Sequence, residues 1–217
     1  MKPGLNKFVA IQAPVEFLYE KGVVKAHYEG KWLTLRPDVS NADDKLVIGP
    51  LTMIVIERDG RQGIRLRDKN SKYRRSFKGL QYFPVKAEYR VEARWLPYPK
   101  AKKVVVNTVI EGVRETYEAT GEVEFTLAGR KLRLEPVVDE GELFYIFRDL
   151  TAGKSTYGAG RFLYSALAKD GKVTLDFNKA YNPPCAFTPF ATCPLPPPQN
   201  RLDTAVEAGE LAYHLPE

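Results

Sequence analysis

The most constraining feature of this sequence is an alternation of apolar and charged side chains that begins at Val85 and ends at Trp95. Apolar residues occupy every second position, and Lys, Glu or Arg occupies each position between them. Successive side chains of a β-strand point to opposite faces, so a period of two is typical of a half-buried strand. We therefore predict a strand over residues 85–95 that covers a core with one face.

Weaker runs of the same kind recur along the chain. They are residues 23–28, 32–36, 51–57, 63–67, 104–110, 123–127, 132–135, 143–147 and 173–178. Asp59-Gly60, Ala128-Gly129 and Asp170-Gly171 lie between such runs and suit tight hairpin turns, because glycine tolerates a positive φ. These features predict an all-β, mostly antiparallel fold, either a sandwich or a barrel.

Helical patterns are few and short. The candidates are residues 14–20, 154–163 and 203–208. None sustains the 3.6-residue apolar period of a long amphipathic helix, so we expect helices to be a minor part of the fold.

The segment after Tyr181 holds eight of the 16 prolines. Proline cannot donate to a β-ladder, so this segment cannot be a run of strands. Its apolar residues Phe187, Phe190 and Leu195 favour an ordered loop around the body of the protein over a disordered tail. We call residues 181–217 the C-terminal wrap.

A domain boundary is predicted near residues 69–79, where polar and basic residues interrupt the strand pattern. This divides the chain into an N-terminal β region, 1–78, and a C-terminal β domain, 79–217. One continuous sheet system is the alternative.

Composition narrows the class of protein. The 217 residues, 44% hydrophobic, suffice for a core without disulfides or metals. No apolar run approaches the roughly 20 residues of a membrane span, and the first residues do not resemble a signal peptide, so we expect a cytoplasmic protein without a membrane partner. Only two Met and two Cys beside 28% charged residues suggest a thermophile.

Motifs for cofactor or metal chemistry are incomplete. Gly153-Lys154-Ser155 resembles the end of a phosphate-binding loop, but the glycine required five positions before Gly153 is replaced by Arg148. Two cysteines and two distant histidines do not supply a zinc site. We expect no metal and no cofactor.

A set of polar residues between Arg148 and Glu210 is the candidate site. Asp176 and Glu210 are predicted as catalytic bases if the protein is an enzyme. Arginine suits carboxylate or phosphate, so the remaining residues are predicted to bind a ligand. They are Arg148, Asp149, Tyr157, Arg161, Asn178, Tyr181, Asn182, Asn200 and Arg201. The alternative is that these side chains pair with one another and hold the C-terminal wrap in place.

A basic stretch over residues 58–78 is the strongest local charge feature, and Tyr73 and Phe77 lie within it as in a nucleic-acid groove. Glu57, Asp59 and Asp68 dilute its charge. With a net charge of only +6, a solvated hairpin and loop is favoured over a surface that follows phosphates.

The two cysteines, Cys185 and Cys193, lie eight positions apart in the wrap. In a reducing cytosol we favour two buried thiols over a disulfide. A thiol switch is a third interpretation, and it requires sulfur atoms close enough to bond and at least one exposed thiol.

Several motifs resemble domain-of-unknown-function family 1684 (DUF1684). They are Phe147-Arg148-Asp149, Tyr157-Gly158-Ala159-Gly160-Arg161-Phe162, Leu175-Asp176-Phe177-Asn178, Tyr181-Asn182-Pro183-Pro184-Cys185, Cys193-Pro194-Leu195-Pro196, Asn200-Arg201-Leu202 and Ala208-Gly209-Glu210. Members of that family often carry a preceding segment like a forkhead-associated β-sandwich, which is abbreviated here and shows no phosphothreonine-binding loop. The resemblance implies a β-rich fold and the location of a site, but no reaction.

Taken together, the sequence predicts a cytosolic β-rich protein with a polar pocket in its C-terminal half for a small anionic ligand, with turnover left open. The alternative is a non-catalytic module that binds a protein or nucleic acid, in which the polar motif residues stabilise the fold. A small anionic ligand is favoured over nucleic acid as the partner of this protein.

Overall fold

A computed structural model describes residues 1, 4–8, 15–58 and 60–215. The described residues contain fourteen strands and a few single-turn helices joined by turns and loops, and every strand pair within a sheet is antiparallel. The predicted all-β class is confirmed, and the architecture is sandwich-like because no sheet among the described residues closes into a barrel. The chain divides into two compact units, Met1–Arg75 and Ser76–Glu217.

The first unit contains two sheets. The four-stranded sheet has the order β1-β2-β3-β4, and the three-stranded sheet has the order β5-β6-β7. Their bounds are β1 Gly4–Phe8, β2 Val15–Glu20, β3 Val23–Tyr28, β4 Lys31–Leu35, β5 Leu46–Ile48, β6 Leu51–Arg58 and β7 Arg61–Asp68. Phe17, Val24 and Leu35 from one sheet pack with Met53 and Val55 from the other, so the core lies between two layers.

The second unit is built on a long hairpin. The bounds of its strands are β8 Arg90–Asn107, β9 Arg114–Leu127, β10 Arg130–Leu134, β11 Val137–Asp139, β12 Glu142–Phe147, β13 Arg161–Ser165 and β14 Lys172–Asp176. One sheet has the order β10-β9-β8-β14 and the other β11-β12-β13. The β8–β9 register shifts between Pro97 and Lys102, which allows the hairpin to bend.

Strand β12 is buried on both faces. Leu143, Tyr145 and Phe147 on one face pack in the main core with residues of the four-stranded sheet. Phe144 and Ile146 on the other face pack with residues from the far end of the β8–β9 hairpin. The continuous apolar sequence of β12 follows from this double burial.

The C-terminal wrap is ordered and follows the body of the second unit, as predicted. Its described residues, 181–215, contain no strand and two single-turn helices, Pro184–Ala186 and Pro198–Asn200. Isolated bridges attach it to the rest of the unit: Tyr181 pairs with Phe162, Pro194 with Thr108, Arg201 with Arg148, and Glu210 with Tyr82. The proline-rich sequence therefore gains its order from the sheets that it contacts.

Three helix predictions are wrong. Of the helix predicted over residues 14–20, residue 14 lies outside the described part of the chain, and residues 15–20 form strand β2, which pairs with β1 and β3. Residues 154–163 hold a turn and the beginning of β13, because Gly158 and Gly160 interrupt a helix before Arg161 pairs with Phe147. Residues 203–208 are irregular. One-turn helices also form at Asp38–Ser40 and Lys72–Arg75.

The strand predicted over residues 85–95 begins later than expected. Ala87–Tyr89 is a 3-10 turn, and β8 begins at Arg90. The turn predictions at Ala128-Gly129 and Asp170-Gly171 are confirmed, since all four residues have positive φ angles. Asp59, in the first predicted turn, lies outside the described residues. No helix in the described part of the chain has the length and apolarity to cross a membrane.

Candidate functional site

The centre of the predicted site is a buried ion pair between Asp149 and Arg161. Arg161 begins β13, opposite Phe147 in β12, and Asp149 follows two residues after Phe147. Arg161 Nη2 lies 2.9 Å from Asp149 Oδ2, and each side chain is 1% exposed. Burial lowers the pKa of Arg161, and the charge of Asp149 opposes that shift.

The same two side chains hold the end of the C-terminal wrap. Arg161 donates from Nη2 to the Val206 carbonyl at 2.9 Å and from Nη1 to the Ala208 carbonyl. Asp149 Oδ1 accepts from the Val206 backbone N–H at 3.2 Å and from the Thr151 N–H at 2.9 Å. The pair therefore satisfies buried backbone groups of a segment that has no ladder of its own.

Asn200 plays the same part at the middle of the wrap. Its Oδ1 accepts from the Glu135 N–H at 2.8 Å, and its Nδ2 donates to the carbonyls of Glu135 and Ile146 at 2.9 and 3.0 Å. The residue is 1% exposed. These three bonds use both ends of the amide.

Glu210 and Asn182 form a third contact. Glu210 Oε2 accepts from the Asn182 backbone N–H at 2.8 Å, and Oε1 accepts from the Tyr82 hydroxyl at 3.3 Å. Asn182 Nδ2 donates to the Leu211 carbonyl at 2.7 Å. Arg161 donates to the Ala208 carbonyl two residues before Glu210, and the charge of Glu210 acts to raise the pKa of that guanidinium.

Asp176 and Asn178 belong to a separate turn at the end of β14. Asp176 Oδ1 accepts from the Asn178 N–H at 3.2 Å and from its Nδ2 at 3.0 Å, which caps the 3-10 turn Phe177–Lys179. Asn178 also exchanges two bonds with the Lys86 backbone, at 3.1 and 3.0 Å. This geometry fixes one turn against another.

The remaining predicted residues make other contacts, and of these Tyr181 adjoins the centre because its backbone pairs with Phe162. Arg148 and Arg201 are exposed, and their backbones form an isolated bridge. Tyr157 donates its hydroxyl to the Cys185 carbonyl at 3.2 Å. Tyr181 packs edge-on against Phe162, and burial raises its pKa to about 12.

The structure thus brings Asp149, Arg161, Asn182 and Glu210 together with Tyr181 beside them, and it leaves the other predicted residues at separate places. Their assignment as ligand-binding or catalytic groups stays a prediction. Two buried atoms of the central group, Arg161 Nε and Asn182 Oδ1, have no hydrogen-bond partner among the described residues.

Sequence reasoning missed Glu135, which is 5% exposed at the end of β10. Lys102 Nζ lies 2.5 Å from its carboxylate, Gln199 donates to it at 2.9 Å, and the Tyr98 hydroxyl also donates to it. Nothing near residue 135 in the sequence signals these partners, because each comes from a distant part of the chain.

A polar cleft of about 420 Å³ lies in the first unit, and another of about 670 Å³ lies on the second unit beside β8 and β9. The cleft of the first unit lies between the loop that follows β4 and the outer face of the β5-β6-β7 sheet. Its lining residues are Arg36, Asp38, Ala42, Asp43, Asp44, Lys45, Val47, Thr52, Ile54, Val55, Arg67 and Lys69. None of the predicted C-terminal site residues lines it, but Arg67 and Lys69 belong to the basic stretch identified in the sequence.

The three carboxylates of the cleft already have cationic partners. Asp44 accepts two bonds from the Arg36 guanidinium, at 2.8 and 3.1 Å, and these bonds lower its pKa to about 2. Lys45 lies 2.7 Å from Asp43. Arg58, outside the lining, lies 3.0 Å from Asp38.

Once the three carboxylates of the cleft are paired with cations, the positive charges of Arg67 and Lys69 remain unbalanced. Among the described residues, neither has a carboxylate within ion-pair distance. Arg67 pairs with Thr52 across β6 and β7, so a hydroxyl and a guanidinium share the same face of the sheet. Both cations are exposed.

Comparison with known proteins gives a family but no activity. The family model described as "Protein of unknown function (DUF1684)" matches residues 75–211, which confirms the resemblance found in the motifs. A solution NMR structure of an uncharacterized protein from Haloarcula marismortui is similar at 37% identity and a TM-score of 0.53. The match covers 64% of this chain and 78% of that one. No curated protein matches the chain.

Proposed function

This chain belongs to the DUF1684 family of proteins of unknown function, and we propose that it is a non-catalytic module that binds a phosphate-class anionic group of a partner. In this account, the polar residues of the family motifs stabilise the second unit. The cleft of the first unit binds the anion through Arg67 and Lys69. The observation that carries the proposal is the unbalanced positive charge of this cleft.

The contacts of the motif residues support a stabilising role. Asp149 and Arg161 contact each other and the wrap backbone, and the side-chain amide of Asn200 forms hydrogen bonds with backbone groups. A catalytic base must accept a proton from a substrate, whereas Glu210 accepts bonds from Asn182 and Tyr82. These groups are better suited to fixing the wrap than to turnover.

The chemistry of the cleft supports an anionic ligand. Its volume falls within the roughly 300–1,000 Å³ range of small-ligand sites. A guanidinium donates in a fork that fits the oxygen atoms of a phosphate-class anion, and an ammonium adds a point charge. Thr52, on the strand beside Arg67, adds a hydroxyl donor. Because both cations are exposed, the anionic group can belong to a larger molecule.

Calorimetric titration with inorganic pyrophosphate tests the proposal. We expect the wild type to bind, and the double variant Arg67→Gln/Lys69→Gln to bind at least tenfold more weakly. The matched control is Lys25→Gln/Lys31→Gln, which removes two exposed charges of the same unit outside the cleft. Equal binding by the cleft variant and the wild type would refute the proposal, as would an equal loss in the control.

A second candidate function is a small polar ligand in the second unit, and the two unpartnered atoms favour it. Arg161 Nε is a donor and Asn182 Oδ1 an acceptor, and both residues adjoin Glu210. A buried donor and acceptor without partners are costly unless a water or ligand satisfies them. A high-resolution crystal structure separates the cases: density larger than a water beside both atoms would support this candidate.

A further inference from the structure

Cys185 and Cys193 of the wrap lie next to each other in the second unit. They belong to the core on the Phe144 and Ile146 face of β12. The Cys185 backbone N–H donates to Cys193 Sγ at 3.2 Å, which places the two cysteines side by side. Both are free and buried, with exposed fractions of 8% and 2%. The two cysteines are therefore adjacent, and Cys185 is the less completely buried of the two.

Backbone contacts on either side fix the two positions. The Cys193 carbonyl accepts from the Val109 N–H at 3.0 Å, and Pro194 bridges to Thr108 at the end of the β8–β9 hairpin. Cys185 lies in the turn Pro184–Ala186, and its carbonyl accepts from the Tyr157 hydroxyl. The thiols are thus held together by anchored segments and not by their own contact alone.

The neighbours of the pair make the two thiols unequal. The bond to Cys193 lowers the pKa of Cys185 to about 7, with a further contribution from Tyr157, while burial opposes the shift. The pKa of Cys193 is raised by the bond to Cys185, by burial and by the charge of Glu115. Cys185 is thus the more acidic of the two thiols and also the less completely buried, at 8% exposure against 2%, so we take it as the thiol that ionises.

We propose that Cys185 and Cys193 form a redox-active pair that hydrogen peroxide converts to a disulfide, with Cys185 as the attacking thiol. The Cys185 thiolate forms an S–O bond with the peroxide and breaks its O–O bond, which releases hydroxide and leaves a sulfenic acid. The Cys193 sulfur then attacks the Cys185 sulfur. This step forms the S–S bond, breaks the S–O bond, and releases water with the Cys193 proton.

Atoms and electrons balance in this reaction with hydrogen peroxide as the sole oxidant. The two thiols lose two electrons and two protons in total, and one peroxide becomes two waters. The disulfide would close a covalent loop over residues 186–192. That loop carries Phe187, whose ring lies 4.9 Å from Tyr213, and Phe190, which is 78% exposed. Oxidation would therefore restrict the part of the wrap that presents aromatic side chains to solvent.

The test treats the reduced full-length protein with hydrogen peroxide and follows free thiols and intact mass. We expect both thiols to disappear together, with a mass loss of two hydrogen atoms and no dimer. In Cys193→Ser, oxidation should stop at a sulfenic acid that dimedone traps. In Cys185→Ser, the remaining thiol should persist at the same peroxide concentration. Retention of both wild-type thiols while a cysteine peptide oxidises would overturn the proposal.

The pH dependence adds a readout that needs no substituted protein. With the pKa of Cys185 near 7, the thiolate fraction, and hence the oxidation rate, should rise about tenfold from pH 6 to pH 8. An ordinary thiol with a pKa near 8.5 would give a rise of about eightyfold. The larger rise would contradict the assignment of Cys185 as an activated thiol.

Discussion

Replacing Arg161 with methionine should be among the most damaging single changes in the second unit. Methionine keeps an unbranched chain of similar reach but removes the charge and all donors. The change would leave Asp149 as a buried carboxylate without its cation and the carbonyls of Val206 and Ala208 without a donor. Each consequence acts only on the folded state, so the free energy of unfolding should fall.

The magnitude follows from these contacts. Removing one partner of a buried ion pair costs about 3–5 kcal/mol, and an orphaned buried carbonyl costs about 1–3 kcal/mol. These terms share atoms and do not add in full, so we expect a loss of about 4 kcal/mol for Arg161→Met. At an m-value of about 2 kcal/mol per M, the urea midpoint should fall by about 2 M.

Urea denaturation followed by tryptophan fluorescence measures the loss. A Trp32→Phe background leaves Trp95, which packs against the main core of the second unit, as the reporter. Arg148→Met is the matched control, because Arg148 is exposed and should cost no more than about 0.5 kcal/mol. A loss below about 1 kcal/mol for Arg161→Met would refute the stabilising role that we assign to the pair.

Three further predictions concern other parts of the second unit. Gly160→Ala should cost at least about 2 kcal/mol in thermal unfolding, because Gly160 has a φ of +110° and an added Cβ would lie 2.5 Å from Pro196 Cγ; a stability equal to the wild type would contradict it. Asn200→Ala should cost about 3 kcal/mol by urea denaturation, since three buried backbone groups lose their partner; a loss no greater than that of exposed Arg201→Ala would contradict it. Bonds from Lys131 and then Arg133 lower the pKa of Glu124 to about 2, below its unfolded value near 4.5. The ionised Glu124 thus stabilises the folded state above pH 4.5, and this stabilisation is lost as the pH falls toward 2. Glu124→Gln should therefore reduce the drop of the urea midpoint between pH 4.5 and pH 2; an unchanged drop would contradict the prediction.

The strands could be predicted where one face is buried and the other solvated. Residues 173–178 alternate because Val173 and Leu175 face the core of the second unit, and the strand ends where Asp176 caps the next turn. The alternation over residues 85–95 includes the 3-10 turn Ala87–Tyr89. Tyr89 is buried there and fits the apolar pattern, although it has no strand partner. Periodicity reports burial directly and hydrogen bonding only indirectly.

The errors have identifiable causes. Residues 15–20 were open to a helical interpretation because the apolar spacing of a six-residue segment fits both periods, and pairing with β1 and β3 decides the outcome. In residues 154–163, the strand partner of Arg161 lies fourteen positions earlier at Phe147. Local propensity carries no information about that partner.

The composition of the polar group could be predicted, but its connections could not. The sequence identified Asp149, Arg161 and Glu210 as special and offered both ligand binding and mutual pairing as roles. Their distances depend on how the wrap returns past β13, which is set by tertiary contacts such as the bond from Arg161 to Val206. The cleft escaped the prediction for the same reason, since its lining comes from a loop and a sheet face that are separated in the chain.

The central claim is that the cleft of the first unit is the ligand site of this protein. An NMR titration of the ¹⁵N-labelled full chain with inorganic pyrophosphate tests it most directly, because each backbone amide reports its own surroundings. The account predicts that the largest shifts fall on Thr52, Arg67 and Lys69, and that they vanish in Arg67→Gln/Lys69→Gln. Shifts centred instead on Arg161 and Asn182, or no saturable shift at any amide, would contradict it.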